Sequence, residues 1–226
     1  MIGRPASLLI DGPAGQIEVV VEEPAGHGTT PRGLAVIAHP HPLMGGTMDN
    51  KVVHTLVRAF VLAGWRAVRF NFRGVGQSEG QYDEGRGETS DLLAVVAHHL
   101  SDPALAGRPL ALAGFSFGGY VAAQAASRLL QAAADQPAVR APSTVVLVSP
   151  AASRFEVPTV PAHTLVVQGE SDDVVPLGAI LDWARPQQLP VTVVPGAGHF
   201  FHGQLGGLRD IVLRHLRAEA AREAAG

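Results

Sequence analysis

The sequence has no cysteine among its 226 residues. That absence excludes disulfides, thiolate metal sites and a cysteine nucleophile, and it fits a reducing cytoplasm, the location expected here. Long apolar runs are missing too. No window reaches about 18 uninterrupted apolar residues, so no membrane span is predicted. The opening "MIGRPASLLIDGPAG" holds only a short apolar patch before Asp11 and Gly12, too brief for the apolar region of a signal peptide, so a soluble chain is expected. There is no excess of positive charge either: 17 Lys and Arg stand against 20 Asp and Glu, a formal net charge of −3. With no basic run, nucleic acid and anionic membrane surfaces are poor candidate partners. What remains is a chain 46% hydrophobic and 16% charged, a composition that folds. As a single domain it should bury roughly 70–75% of its unfolded surface.

Short apolar runs alternate with helical patterns. "QIEVVVEEP" (16–24), "GLAVIAH" (33–39), "WRAVRFNF" (65–72), "RPLALAGF" (108–115), "STVVLVSP" (143–150), "HTLVVQGE" (163–170) and "PVTVVPGAG" (190–198) read as strands. The 33–39 stretch is a continuous apolar run of the kind buried on both faces, and 108–115 reads as another buried strand. Helices are predicted over 49–64, capped by Asp49 or Asn50, over 89–100, capped by Thr89 or Ser90, and over 117–131, 176–184 and 206–225. Strands separated by helices argue for right-handed crossovers and a mainly parallel sheet covered on both faces. The linker-like stretches 22–33 and 131–143 sit naturally within one such sheet, so 1–226 is read as one domain.

Chemistry concentrates in "GFSFGG". Gly114-Phe115-Ser116-Phe117-Gly118 satisfies G-x-S-x-G at the point where a strand ends and a helix begins. A serine on that sharp turn stands free to react, and the helix that follows aims its first N–H groups at developing negative charge. The N–H of Phe117 is the natural oxyanion donor. A serine hydroxyl needs a base and the base an orienter. His199, in the glycine-rich turn of "VVPGAGHFFHG", is preferred to His202 three residues on. His98 and His99 fall on a predicted helix, and His27, His54, His163 and His215 have no supporting context. For the acid, "LVVQGESDDVVP" offers Asp172, preferred here, then Asp173 and Glu170. A second oxyanion donor is expected from "HPHPLMGGTMDN" after the 33–39 strand. Pro40 and Pro42 carry no N–H, which leaves the backbone of His41, with Leu43 next. His39 and His41 without nearby carboxylates or cysteines make a weak metal site, and no metal is expected. "RGVGQSEG" lacks the third glycine of a nucleotide loop and opens no immediate helix.

Taken together, "HPHPLMGG", "RFNFRGVGQSEG", "GFSFGG", "GESDDVVP" and "GAGHFFHG" resemble the α/β-hydrolase superfamily over about residues 7–216, with the nucleophile, acid and base in that family's chain order. More narrowly, the chain is similar to compact bacterial serine hydrolases related to dienelactone hydrolases, which share the H-P-H-P-x-x-G-G loop and the N-x-R-G-x-G-x-S stretch. The resemblance implies an α/β fold of about eight mostly parallel strands, the second antiparallel. It implies cofactor-free hydrolysis of small-molecule esters or thioesters, and a scaffold role for Arg73 and Gly74 beneath the elbow. One departure counts against dienelactones: those enzymes proper use cysteine where this chain has Ser116. Only "AASRFEVPTVPA" separates Pro150 from His163, too little for a cap domain, so an open site lined by Leu43, Met44, Phe117, Phe155, Val175 and Phe200 is expected. An open apolar groove suits an acyl chain or bulky ester. Acyl transfer or peptidase activity on the same triad, and ligand binding without turnover, are the alternative readings. Oligomeric state cannot be read from the sequence.

Overall fold

The computed structural model describes residues 6–24 and 30–225; His27 lies outside them. The chain forms β1 (Leu8–Gly12), β2 (Gly15–Glu22), β3 (Leu34–Ala38), α1 (Lys51–Leu62), β4 (Arg66–Phe70), α2 (Arg86–Leu100), β5 (Leu110–Phe115), α3 (Phe117–Asp135), β6 (Thr144–Val148), β7 (Leu165–Gly169), α4 (Leu177–Ala184), β8 (Val191–Val194) and α5 (Leu205–Ala225). The eight strands pair in the order β1-β2-β4-β3-β5-β6-β7-β8. β2 runs antiparallel to both β1 and β4, and every other pairing is parallel. This is the α/β-hydrolase fold.

Alternation along the strands sorts the core into two layers. Val36, Phe70, Leu112 and Leu147 face α2 and α3 through Leu92, Val95, Val121 and Ala125. Ile37, Ala113, Phe115 and Val148 face α1 and α5 through Val53, Leu56, Phe60 and Val212. The central strands β3, β5 and β6 are thus buried on both sides, as a parallel sheet covered by helices requires. All the parallel strands end at one edge, where open sheets of this kind place their sites.

Two readings need correction. β1 falls on the patch "LLIDG", which has only one buried residue, Ile10. Its pairing to β2 rather than its pattern makes it a strand. α2 begins at Arg86, three residues before the predicted caps. Glu88 folds back to accept the N–H groups of Asp83 (2.8 Å) and Gly85 (2.7 Å), so it serves the exposed donors of the first turn. Thr89 is inside the helix, its hydroxyl donating to the Gly85 carbonyl at 2.6 Å. Asn50, one of the two predicted caps of α1, accepts from the Val52 N–H at 2.8 Å.

Residues 149–164, between β6 and β7, contain turns and no helix, so this connection places no helical cap over the sheet edge. Beneath the elbow, Arg73 binds Asp91 with two hydrogen bonds of 2.8 and 2.7 Å. Asn71 joins the segment before α1 to β2, accepting from the Met48 N–H and donating to Glu18.

Candidate active site

Ser116 is the residue between β5 and α3, and its backbone is left-handed, with φ 57° and ψ −118°. For a residue with a side chain this is a strained conformation. It persists because the surroundings fix it. The Ser116 N–H donates to the Val148 carbonyl at 2.9 Å, and its own carbonyl accepts from Gly119 (2.9 Å) and Ala151 (3.2 Å). The flanking glycines are steric necessities: a Cβ on Gly114 would stand 2.0 Å from the Gly118 carbonyl oxygen, and one on Gly118 would stand 2.3 Å from that of Ala38.

His199 reaches this serine from the turn after β8. Its Nε2 lies 3.1 Å from Ser116 Oγ, and its Nδ1 lies 2.8 Å from Asp172 Oδ2. A carboxylate can only accept, so Nδ1 carries the proton and Nε2 is free to accept from the serine. The ring packs on Phe115, centroids 4.8 Å apart. Asp172 is as tightly held. Oδ1 accepts the N–H groups of Val174 (3.0 Å) and Val175 (2.8 Å), and Oδ2 also accepts from Gln168 Nε2 at 3.1 Å. Burial pushes the Asp172 pKa up, but His199 and the Val175 N–H outweigh it, so the carboxyl lies below its ordinary value. Of the two neighbouring aspartates only Asp172 touches the histidine; Asp173 is exposed. Glu170 accepts instead from the Gly196 N–H. His202 is exposed, its ring 5.9 Å from that of Phe200.

The loop after β3 is built from its two histidines. His39 is fully buried and uses both ring nitrogens: Nδ1 donates to the Pro40 carbonyl at 2.6 Å, and Nε2 accepts the Phe72 N–H at 3.0 Å. The ring has no lone pair left for a metal. Among the described residues no group of three or more His, Cys, Asp or Glu is placed to hold one. The ring of His41 accepts the Leu43 N–H on Nδ1 (3.2 Å) and contacts Tyr82 Oη through Nε2 (3.1 Å). Leu43 therefore has no N–H to offer an oxyanion. The backbone N–H of His41 has no acceptor among the described residues, and that of Phe117, first in α3, has no helical carbonyl one turn back. Both residues line the same cavity as Ser116.

Burial forces the His39 pKa from 6.5 down to about 3, against a smaller raising effect of the Pro40 carbonyl. Between those values the unfolded chain binds a proton that the folded chain refuses, so this residue costs stability as pH falls. About 2 kcal/mol should be lost from it between about pH 7 and about pH 5. Urea unfolding across that range should show a shallower acid loss in His39→Asn than in the native chain. Parallel stability profiles would rule this out.

The cavity at Ser116 measures about 380 Å³. Met44, Phe117, Phe155, Val175 and Phe200 line it as the sequence suggests, but Leu43 does not. It sits in the short turn Pro42–Met44 and is 69% exposed. Two contributors escaped the sequence reading. Gln168 is a polar residue inside a buried strand, which was a usable signal; Arg154, on the cavity wall, is the one cation in "AASRFEVPTVPA".

Fold and site together define a hydrolase of the α/β type. The family model for the alpha/beta hydrolase domain matches residues 32–207, and the chain belongs to that family. An uncharacterized protein of Rickettsia prowazekii is 30% identical over 208 residues, 86% of this chain and 81% of that protein. A solved α/β serine hydrolase of Xanthomonas campestris, described as without lid, is 36% identical with a TM-score of 0.83, covering 96% of each chain. An alpha-beta serine hydrolase homologue of Coxiella burnetii is 40% identical with a TM-score of 0.75, covering 96% of this chain and 99% of that one. Among the described residues no helix is long and apolar enough to cross a membrane.

Proposed function

We propose that this chain is a serine hydrolase that cleaves carboxylic esters or thioesters through an acyl-enzyme, with Ser116 as nucleophile, His199 as base and Asp172 as orienter. One observation carries the reading. Serine, histidine and aspartate form an unbroken relay of 3.1 and 2.8 Å at the open edge of the sheet. Ser116 Oγ attacks the acyl carbonyl while His199 Nε2 takes its proton. Asp172 keeps the remaining proton on Nδ1 and stabilises the imidazolium. The oxyanion is held by the backbone N–H groups of Phe117 and His41, residues that line the same cavity as Ser116. His199 then protonates the leaving alcohol or thiol, and the same nitrogen activates the water that frees the acid. Met44, Phe155, Val175 and Phe200 supply the apolar wall for the substrate.

The test is stoichiometric labelling by a fluorophosphonate. The native chain should take up one equivalent, on Ser116, and Ser116→Ala should take up none while unfolding at a comparable denaturant concentration. A folded native chain that stays unlabelled would sink the proposal.

A further inference from the structure

The cavity that holds Ser116 is mostly apolar, yet two residues of opposite charge type, Arg154 and Asp173, are among those that line it. They come from different loops, Arg154 after β6 and Asp173 after β7. Among the described residues no ion pair or side-chain hydrogen bond engages either of them. Other arginines of the chain are used up by acids: Arg66, Arg69, Arg73, Arg86 and Arg185 all form ion pairs.

Arg154 is also tied to the nucleophile. The Ala151 N–H donates to the Ser116 carbonyl at 3.2 Å, and the Ala151 carbonyl accepts from the N–H groups of Arg154 (3.1 Å) and Phe155 (3.0 Å). The turn that presents the guanidinium is thus anchored on the residue that would attack. Its charge is felt across the cavity: after burial, Arg154 is the main influence holding the His41 pKa below its ordinary value. A guanidinium presents donors in a planar fork that matches a carboxylate or phosphate.

We infer that the substrate is an anionic ester or thioester: an apolar body against Phe155 and Met44, with a carboxylate or phosphate on Arg154. This rests on the hydrolase reading above and adds the substrate's charge. Asp173 sharpens the orientation, because it repels the same anionic group that Arg154 attracts. A substrate with one negative group is therefore turned with that group towards the β6 loop. The anion can belong to the acyl part or to the leaving group, and the two sources are separable.

The experiment compares kcat/KM for matched esters in two arms. For the acyl arm these are the para-nitrophenyl hemiester of glutaric acid and para-nitrophenyl valerate. For the leaving-group arm they are para-acetoxybenzoate and para-tolyl acetate. Because each anionic-to-neutral ratio is compared between enzymes, the intrinsic reactivity of the esters cancels. Arg154→Gln should lower the ratio roughly tenfold in one arm, and Arg154→Glu should lower it further. Asp173→Asn should raise it about threefold, and added salt should shrink all three effects. The arm that responds names the source.

Ratios that stay within about twofold in both arms, while the neutral esters are turned over and Ser116 is labelled, overturn this inference and leave the hydrolase reading standing. So does a preference for cationic esters that Asp173→Asn abolishes. No turnover of any ester, with Ser116 unlabelled, overturns both.

Discussion

Asp172→Asn should lower kcat by roughly four powers of ten, whereas Asp173→Asn should change kcat/KM by no more than a few fold and in a direction set by substrate charge. The reason lies in how each carboxylate oxygen is used. Oδ1 of Asp172 faces two N–H donors, Val174 and Val175. In the variant the amide oxygen must remain there, which puts the new NH₂ group where Oδ2 was. That position faces His199 Nδ1 and Gln168 Nε2. Nδ1 then becomes an acceptor and the imidazole proton moves to Nε2, where it points at Ser116 and blocks proton uptake. The serine remains, but its base is in the wrong tautomer. Steady-state kinetics of the two variants, with thermal unfolding to show that both fold, measure this directly. Equal losses in the two would remove Asp172 from its assigned role.

Gly114→Ala and Gly118→Ala should each destabilise the chain by at least about 3 kcal/mol and abolish fluorophosphonate labelling. Most glycine-to-alanine changes act through the unfolded state and are mild. Here the added methyl would overlap backbone. The nearest atoms to it are the Gly118 carbonyl in the first case and the Ala38 and His39 carbonyls in the second. Backbone in the centre of a sheet cannot step aside as a side-chain tip can. The only relief is to part β5 from α3, or α3 from the end of β3, and either movement displaces Ser116 and opens the oxyanion site. Urea unfolding should show the lowered midpoint, and Gly178→Ala is the control, since a Cβ there meets nothing within 4 Å. An elbow variant with the midpoint and labelling of the native chain would contradict the argument.

Much of this site could be read in the sequence because its parts obey local rules. G-x-S-x-G between a buried strand and a helix needs no distant partner to be understood. Prolines at 40 and 42 remove two donors by covalent structure alone. His199 stands out because a glycine-rich turn follows a strand. The β1 strand was illegible for the opposite reason: with one buried residue, it has no pattern until β2 lies beside it. Leu43 was misplaced for a similar cause. A hydrophobic residue beside a site suggests lining, but a short turn closed by the His41 ring faces it to solvent.

The choice between Asp172 and Asp173 shows where the boundary falls. Adjacent residues share composition, charge and loop, so no spacing rule separates them; the N–H groups of Val174 and Val175, converging on one carboxylate, do. The same holds for Gln168, and for Arg154, which lines the cavity. By itself the sequence determined the alternation of strands and helices, the elbow and the chain order of Ser116, Asp172 and His199, since each depends on residues near in the chain. Only the tertiary structure decided which carboxylate meets the histidine, which N–H groups stay free and which charges face the cavity. Those depend on directions in space, set when loops from β3, β5, β6, β7 and β8 meet at one edge of the sheet.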